Sequence, residues 1–139
     1  MVFVRHDSVT LKSPLRPHQP GNTFKAIITG EPDLLVVKSV NSSFHSIPDL
    51  AEWLHRSDIR AIAICGITTN HCCETTARVA SNLGFDTWFV LDATHTFDRA
   101  DLDGVTVSAD MLARITATNL DGEFAHVLNT ADALERIVC

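Results

Sequence analysis

The stretch IRAIAICGITTNHCCETTARVASNLGFDTWFVL, residues 59–91, reads as a strand, a turn, a helix and a second strand in one uninterrupted run. Ile59 to Cys65 is apolar apart from Arg60, and Gly66 closes it, the pattern of a short buried strand. From Thr69 to Leu83, the residues Cys73, Thr76, Ala77, Ala80 and Leu83 recur at helical spacing, and Gly84 is a natural stop just past the helix end. Thr87 to Leu91 is a second short run without alternation. Strands that are continuous, not alternating, are covered on both faces, and a helix linking two of them makes a parallel pair.

Working outward, Leu34 to Val37 is a strongly apolar strand ending at Lys38, and Val2 to Arg5 is a shorter one. Between them, residues 7–33 carry Pro14, Pro17, Pro20, Gly21, Gly30 and Pro32 and read as a long loop with one helical turn near Phe24 to Ile28. Loops this long in a compact domain are commonly functional. Pro48 suits a first helical position, with Leu50, Trp53 and Leu54 lining the helix that follows. Downstream, Ser108 caps a helix to about Asn119 with Met111, Leu112 and Ile115 facing inward; a strand at Ala125 to Leu128 and a helix at Ala131 to Ile137 complete the chain. The pattern predicts an α/β fold, a three-layer doubly wound parallel sheet, as a single domain over residues 1–139.

Composition narrows the function. The net charge is −6 with no basic stripe, so nucleic acid is not an expected partner. No apolar run is long enough for a membrane span, and the start reads as a strand, not a secretory signal, so the expected location is the cytoplasm. The four cysteines, Cys65, Cys72, Cys73 and Cys139, have neither the spacing of a disulfide framework nor the paired spacing of a zinc site.

In parallel α/β sheets, ligands gather beyond the carboxyl ends of the strands. The polar or reactive residues there are His6 and Asp7, Lys38, the turn from Cys65 to Cys72, and Asp92 and His95. Cys72 falls in the first turn of its helix, where backbone N–H groups lack intrahelical partners and the dipole is positive. Both favour a thiolate, a nearby Lys38 would favour it further, and the same turn offers donors to an oxyanion. Cys73, about 100° further round the helix, reads as core. Cys65 also reads as core, and Cys139 as neither core nor catalytic. Taken alone, a helical cysteine is more often packing than chemistry, and a strand-end lysine is more often solvated, so the residues themselves leave both readings open.

Cys65-Gly66-Ile67-Thr68-Thr69-Asn70-His71-Cys72-Cys73-Glu74-Thr75-Thr76-Ala77 resembles the signature turn of isochorismatase-like cysteine hydrolases, a family that includes nicotinamidases, N-carbamoylsarcosine amidohydrolases and isochorismatases. Val36-Val37-Lys38 with Asn41-Ser42-Ser43-Phe44 resembles the family's lysine strand, and Leu91-Asp92-Ala93-Thr94-His95-Thr96 its Asp-Ala strand end. The resemblance covers nearly the whole chain. It implies that Cys72 attacks an amide or related carbonyl and forms an acyl-enzyme, with Lys38 orienting and stabilising charge. It further implies that the N–H groups of Thr68 and Cys72 form the oxyanion hole and that the Ile67–Thr68 peptide is cis. Asp92 is given a supporting role. Isochorismatase itself typically has Gly at the position of Cys72, so a cysteine there points to C–N hydrolysis.

The resemblance also implies a general-base Asp at the end of a first, central strand of a sheet ordered 3-2-1-4-5-6. Val2 to Arg5 resembles the second strand, so this chain is expected to be N-terminally truncated relative to the family, with strand 1 missing. Asp7 begins the loop after that strand and is a poor substitute. Either the complete protein carries the strand, or the chain is an inactive paralogue serving assembly or binding, or another chain supplies it. The Asp-x-His…His spacing of the nicotinamidase zinc site is not matched by His6, Asp7 and His18, so neither metal nor cofactor is expected. The expected partners are a small-molecule substrate and other copies of the chain, as a homodimer or homotetramer. His6, Phe44, His45, His71 and His95 are the candidate substrate-lining residues. For each of the five, packing or surface duty is an equal alternative.

Overall fold

The structure, a computed structural model, describes residues 1–138; Cys139 lies outside them. The chain forms two compact units, Met1–Asp58 and Ile59–Cys139.

In the first unit, β1 (Val2–His6) and β2 (Leu34–Lys38) run parallel, in a register that pairs Val2 with Leu34 and His6 with Lys38. A short β3 (Ser46–Ile47) joins β2 antiparallel, a piece too brief to leave a periodic signal in sequence. The single helical turn of the long loop is a 3₁₀ turn at Pro20–Asn22, not at residues 24–28. Pro20 presets the required φ there, whereas Lys25 to Ile28 closes only one turn, Ile28 N–H donating to the Lys25 carbonyl at 2.8 Å. Helix α1 (Leu50–Arg56) is capped by the Asp49 carboxylate, which accepts from the Glu52 N–H. Pro48 follows a cis bond to Ile47 and stands before the cap, not inside the helix as the sequence predicts. Val36, Leu50 and Leu54 are buried, and the rings of Phe3 and Phe24 meet at 5.4 Å.

The second unit follows in chain order. It comprises β4 (Ala61–Ile67), α2 (Glu74–Asn82), β5 (Asp86–His95), a hairpin of β6 (Arg99–Ala100) and β7 (Thr106–Val107), α3 (Ala109–Leu120), β8 (His126–Leu128) and α4 (Thr130–Val138). Its main sheet is parallel, in the order β4-β5-β8. The hairpin was not legible in sequence; the Asp101 carboxylate organises its turn by accepting from the N–H groups of Asp103 and Val105. Phe89 of β5 packs with Ile64, Cys73, Ala77, Leu120 and Ala125 on the face covered by α2 and α3. Its neighbour Trp88 points to the other face, where the Arg136 guanidinium of α4 lies 5.7 Å over the indole ring. Helices therefore lie on both faces of this sheet at β5, the doubly wound α/β arrangement. β1 and β4 each end their own sheet.

The helix ends follow their sequence signals. Ser108 Oγ accepts from the Met111 N–H. Gly84, at φ +87°, lets α2 close with Phe85 N–H on the Ala80 carbonyl and Gly84 N–H on that of Ser81. Three packing expectations need correction. Met111 and Ile115 are about half exposed, and α3 instead buries Thr116 and Leu120. The Thr116 hydroxyl goes inward because it donates to the Glu74 carboxylate at 2.6 Å. Leu83 is also nearly half exposed, since the closing turn of α2 carries it off the packed face.

Candidate active site

Between β4 and α2 the chain does not enter an α-helix at Thr69 as the sequence predicts. It makes a π-turn over Thr69–Cys73 and becomes α-helical only at Glu74. Gly66, at φ +125°, permits the bend out of β4. The Ile67–Thr68 peptide is cis, at the position where the resemblance implies one. Thr68 is extended, and its carbonyl accepts from the N–H groups of both His71 and Cys73 at 3.2 Å, the second of these closing the wider ring. Single π-turns recur at functional sites. Cys72 is half-buried on this turn, at the carboxyl end of a parallel strand. Cys73 is buried in the core, as its helical position predicts, and carries the turn with it. Cys65 is exposed; its side chain lies on the uncovered face of β4 with Ala61, Ala63 and Ile67, so the core reading was wrong.

Several residues that the sequence reading passed over surround the turn. The Thr69 hydroxyl donates to that of Thr94, and Thr96 donates to the Asn70 side-chain oxygen. Arg99 donates to His71 Nε2 at 3.1 Å. An arginine can only donate, so this contact fixes the His71 tautomer with its proton on Nδ1. His95 projects from β5 and meets the ring of Phe97 edge-on at 5.0 Å. The Asp92 carboxylate accepts from both the N–H and the hydroxyl of Thr130, at the start of α4. The Glu74 carboxylate accepts from Arg78, whose guanidinium lies 4.5 Å over the Phe124 ring, and so braces α2 against α3 together with Thr116.

In the first unit, the β1–β2 register puts His6 beside Lys38 although they are 32 residues apart. Lys38 is buried, not solvated, and its ammonium donates to the Val40 carbonyl at 2.9 Å and to His6 Nδ1 at 3.3 Å. Burial, and secondarily the Lys38 charge, hold the His6 pKa below the usual histidine range. Asp7 is gripped by Arg5, from Nε at 2.8 Å and from its terminal nitrogen at 3.2 Å, and by Asn22. The Arg5 hydrogen bond is the main reason its pKa is lowered. A carboxylate held this way is a weak base, in keeping with the sequence reading of Asp7. Phe44 is half-buried, with its N–H on the Ser42 hydroxyl, while His45 is exposed.

The His6 environment has a testable consequence. Its folded-state pKa lies below the unfolded value of about 6.5, so the unfolded chain takes up the proton first as pH falls. The stabilisation from neutral His6 is therefore complete above about pH 6.5 and is lost progressively on acidification towards the folded midpoint. An NMR titration should place the His6 midpoint below 6.5. Lys38→Met should return it only part of the way, because burial, the larger cause, remains. A wild-type midpoint at or above the ordinary value contradicts this.

Comparison with known proteins agrees with this architecture. Residues 2–131 match the isochorismatase domain, and the chain belongs to the isochorismatase family. The uncharacterized isochorismatase family protein YrdC of Bacillus subtilis (strain 168) is 34% identical over 131 residues, 94% of this chain and 70% of its own length. Nicotinamidase 3 of Arabidopsis thaliana is 36% identical over 109 residues, 78% of this chain and 48% of its own length. A crystal structure of a cysteine hydrolase from Pseudomonas syringae pv. phaseolicola 1448A aligns with a TM-score of 0.85 at 28% identity, over 99% of this chain and 71% of that one.

Proposed function

We propose that this chain is the nucleophile-bearing part of a cysteine hydrolase that cleaves a small amide or ureido C–N bond. The observation that carries the proposal is the setting of Cys72: a half-buried thiol on a π-turn between the carboxyl end of β4 and α2. A thiol at such a turn stands beside backbone N–H groups that can serve the oxyanion formed when it attacks a carbonyl. The similarity to a cysteine hydrolase and to a nicotinamidase supports the reaction class.

Cys72 adds to the substrate carbonyl, and the N–H groups of Thr68 and Cys72 receive the developing oxyanion. The C–N bond breaks, the leaving nitrogen takes the proton lost by the thiol, and water then hydrolyses the thioester. By the resemblance, Lys38 stabilises charge during these steps and a carboxylate other than Asp7 moves the proton. His6, Phe44, His45, His71 and His95 remain candidates for shaping specificity. The lengthwise match to one family domain supports treating residues 1–139 as part of a single domain. The exposed Phe97, Leu102, Val105, Met111 and Ile115 support a homo-oligomer. No helix of the described residues is long and apolar enough to cross a membrane, which is compatible with a cytoplasmic enzyme.

The test is ammonia release by the full protein from a panel of small primary amides and ureido compounds. Turnover that disappears in Cys72→Ala supports the proposal. Turnover that survives the substitution overturns it. No turnover, with a Cys72 no more reactive than an ordinary thiol, favours a binding or assembly role instead.

A further inference from the structure

The bulge in β5 does more than lengthen a strand. Up to Ile64 paired with Phe89 the two strands keep step; the pairing then resumes at Gly66 with Thr94 and Ile67 with His95, so β5 gains three residues on β4. The re-paired end of β5 thus runs beside the residues that enter the Cys72 turn. Alternation along an extended chain puts Thr94 and Thr96 on one face and His95 on the other.

Both threonines reach the turn. Thr69 Oγ1 donates to Thr94 Oγ1 at 2.9 Å, and Thr94 Oγ1 donates to the Leu91 carbonyl at 2.8 Å. A carbonyl can only accept, so the direction of this relay is fixed along its length. Thr96 Oγ1 donates to Asn70 Oδ1 at 2.6 Å. Thr69 and Thr96 are 1% and 5% exposed, so water is a poor substitute for either bond. Two successive residues of the turn, 69 and 70, are thereby held by Thr94 near the end of β5 and by Thr96 just beyond it, immediately ahead of Cys72.

We propose that Thr94 and Thr96 are positioning residues: they lock the π-turn so that the Cys72 thiol and the turn's amide donors keep one mutual geometry. The proposal rests on the reading of Cys72 as nucleophile. Without the lock, the thiol and the turn's amide donors sample other mutual orientations, and fewer of them are productive for attack.

The experiment is alkylation of the full protein by iodoacetamide across pH, followed by peptide mass spectrometry, with exposed Cys65 as internal reference. Valine keeps the β-branched shape but removes the donor, whereas serine keeps the donor. In Thr94→Val and Thr96→Val the Cys72 alkylation rate should fall about threefold relative to that of Cys65. Thr94→Ser and Thr96→Ser should restore it, and Cys65 should be unchanged throughout. Should Thr96→Val fail to fold, Asn70→Ala removes the same bond from the other side and should give the same fall. A lower melting temperature with an unmoved Cys72 profile overturns the positioning role and leaves a merely structural one. A wild-type Cys72 profile like that of Cys65 instead removes the nucleophile reading beneath it, a separate and recognisable failure.

Discussion

Cys72→Ala is expected to lower kcat on the amide substrate by at least about 10³-fold, the scale of losing a nucleophile that works with neighbouring groups as a unit. Such a loss corresponds to about 4 kcal/mol of transition-state stabilisation. What survives comes from oxyanion donors acting on direct attack by water, a reaction that skips the acyl-enzyme. Cys72→Ser should fare little better, because a hydroxyl on this turn does not ionise as a thiol does. The substitution should be almost silent structurally. Cys72 is only half-buried, and Cys73, not Cys72, packs in the core cluster. Its unfolding free energy should therefore stay within about 1 kcal/mol of wild type. Steady-state kinetics and urea unfolding on the same preparation separate the two effects. A variant that keeps more than about a tenth of wild-type turnover contradicts the covalent mechanism.

Phe89→Ala carries the largest expected cost to stability. The Phe89 side chain is fully buried at the middle strand of the β4-β5-β8 sheet, among Ile64, Cys73, Ala77, Leu120 and Ala125, with Ile62, Leu91, Phe124 and Val127 around them. Truncating a buried phenylalanine costs about 3–5 kcal/mol, the lost transfer free energy plus that of the cavity left behind. A domain has only about 5–15 kcal/mol in total, so much of the second unit's stability goes with one side chain. Leu102→Ala, at a fully exposed position of the β6–β7 hairpin, should change stability by no more than about 0.5 kcal/mol. Denaturant unfolding of both variants checks the contrast. A Phe89→Ala loss below about 1 kcal/mol would mean that the packing around Phe89 is looser than described.

The parts of the fold legible in sequence were those whose signal is local. The apolar runs of β2, β4 and β5, the Ser108 cap and the Gly84 stop each carry their cause within a few residues. The parts that were missed depend on contacts between distant residues. Thr116 faces inward because Glu74, on another helix, offers it a carboxylate; hydrophobic periodicity chose Met111 and Ile115 instead. Lys38 is buried because strand register sets it beside His6, with the Val40 carbonyl as acceptor. The π-turn goes with the bonds from Thr69 and Asn70 to a strand that arrives some 25 residues later. The one trace of it in sequence is the i, i+2 threonine pair at the end of an apolar run. For the candidate site, family resemblance points to Cys72 and Lys38 as proposals, while the residues bonded around the Cys72 turn, Asn70, Thr94, Thr96 and Arg99, leave no comparable local signal.

The most direct test of the central claim compares the three thiols of the described residues. Accessibility alone orders them Cys65 first, Cys72 second and Cys73 last, since they are exposed, half-buried and buried respectively. A Cys72 placed by its turn as a nucleophile reverses the first two. Brief treatment of the native protein with limiting iodoacetamide at neutral pH, followed by peptide mass spectrometry, reads that order. The expected result is modification of Cys72 ahead of the more exposed Cys65, with Cys73 untouched. Labelling that follows exposure, Cys65 before Cys72, contradicts the assignment of Cys72 as the nucleophile.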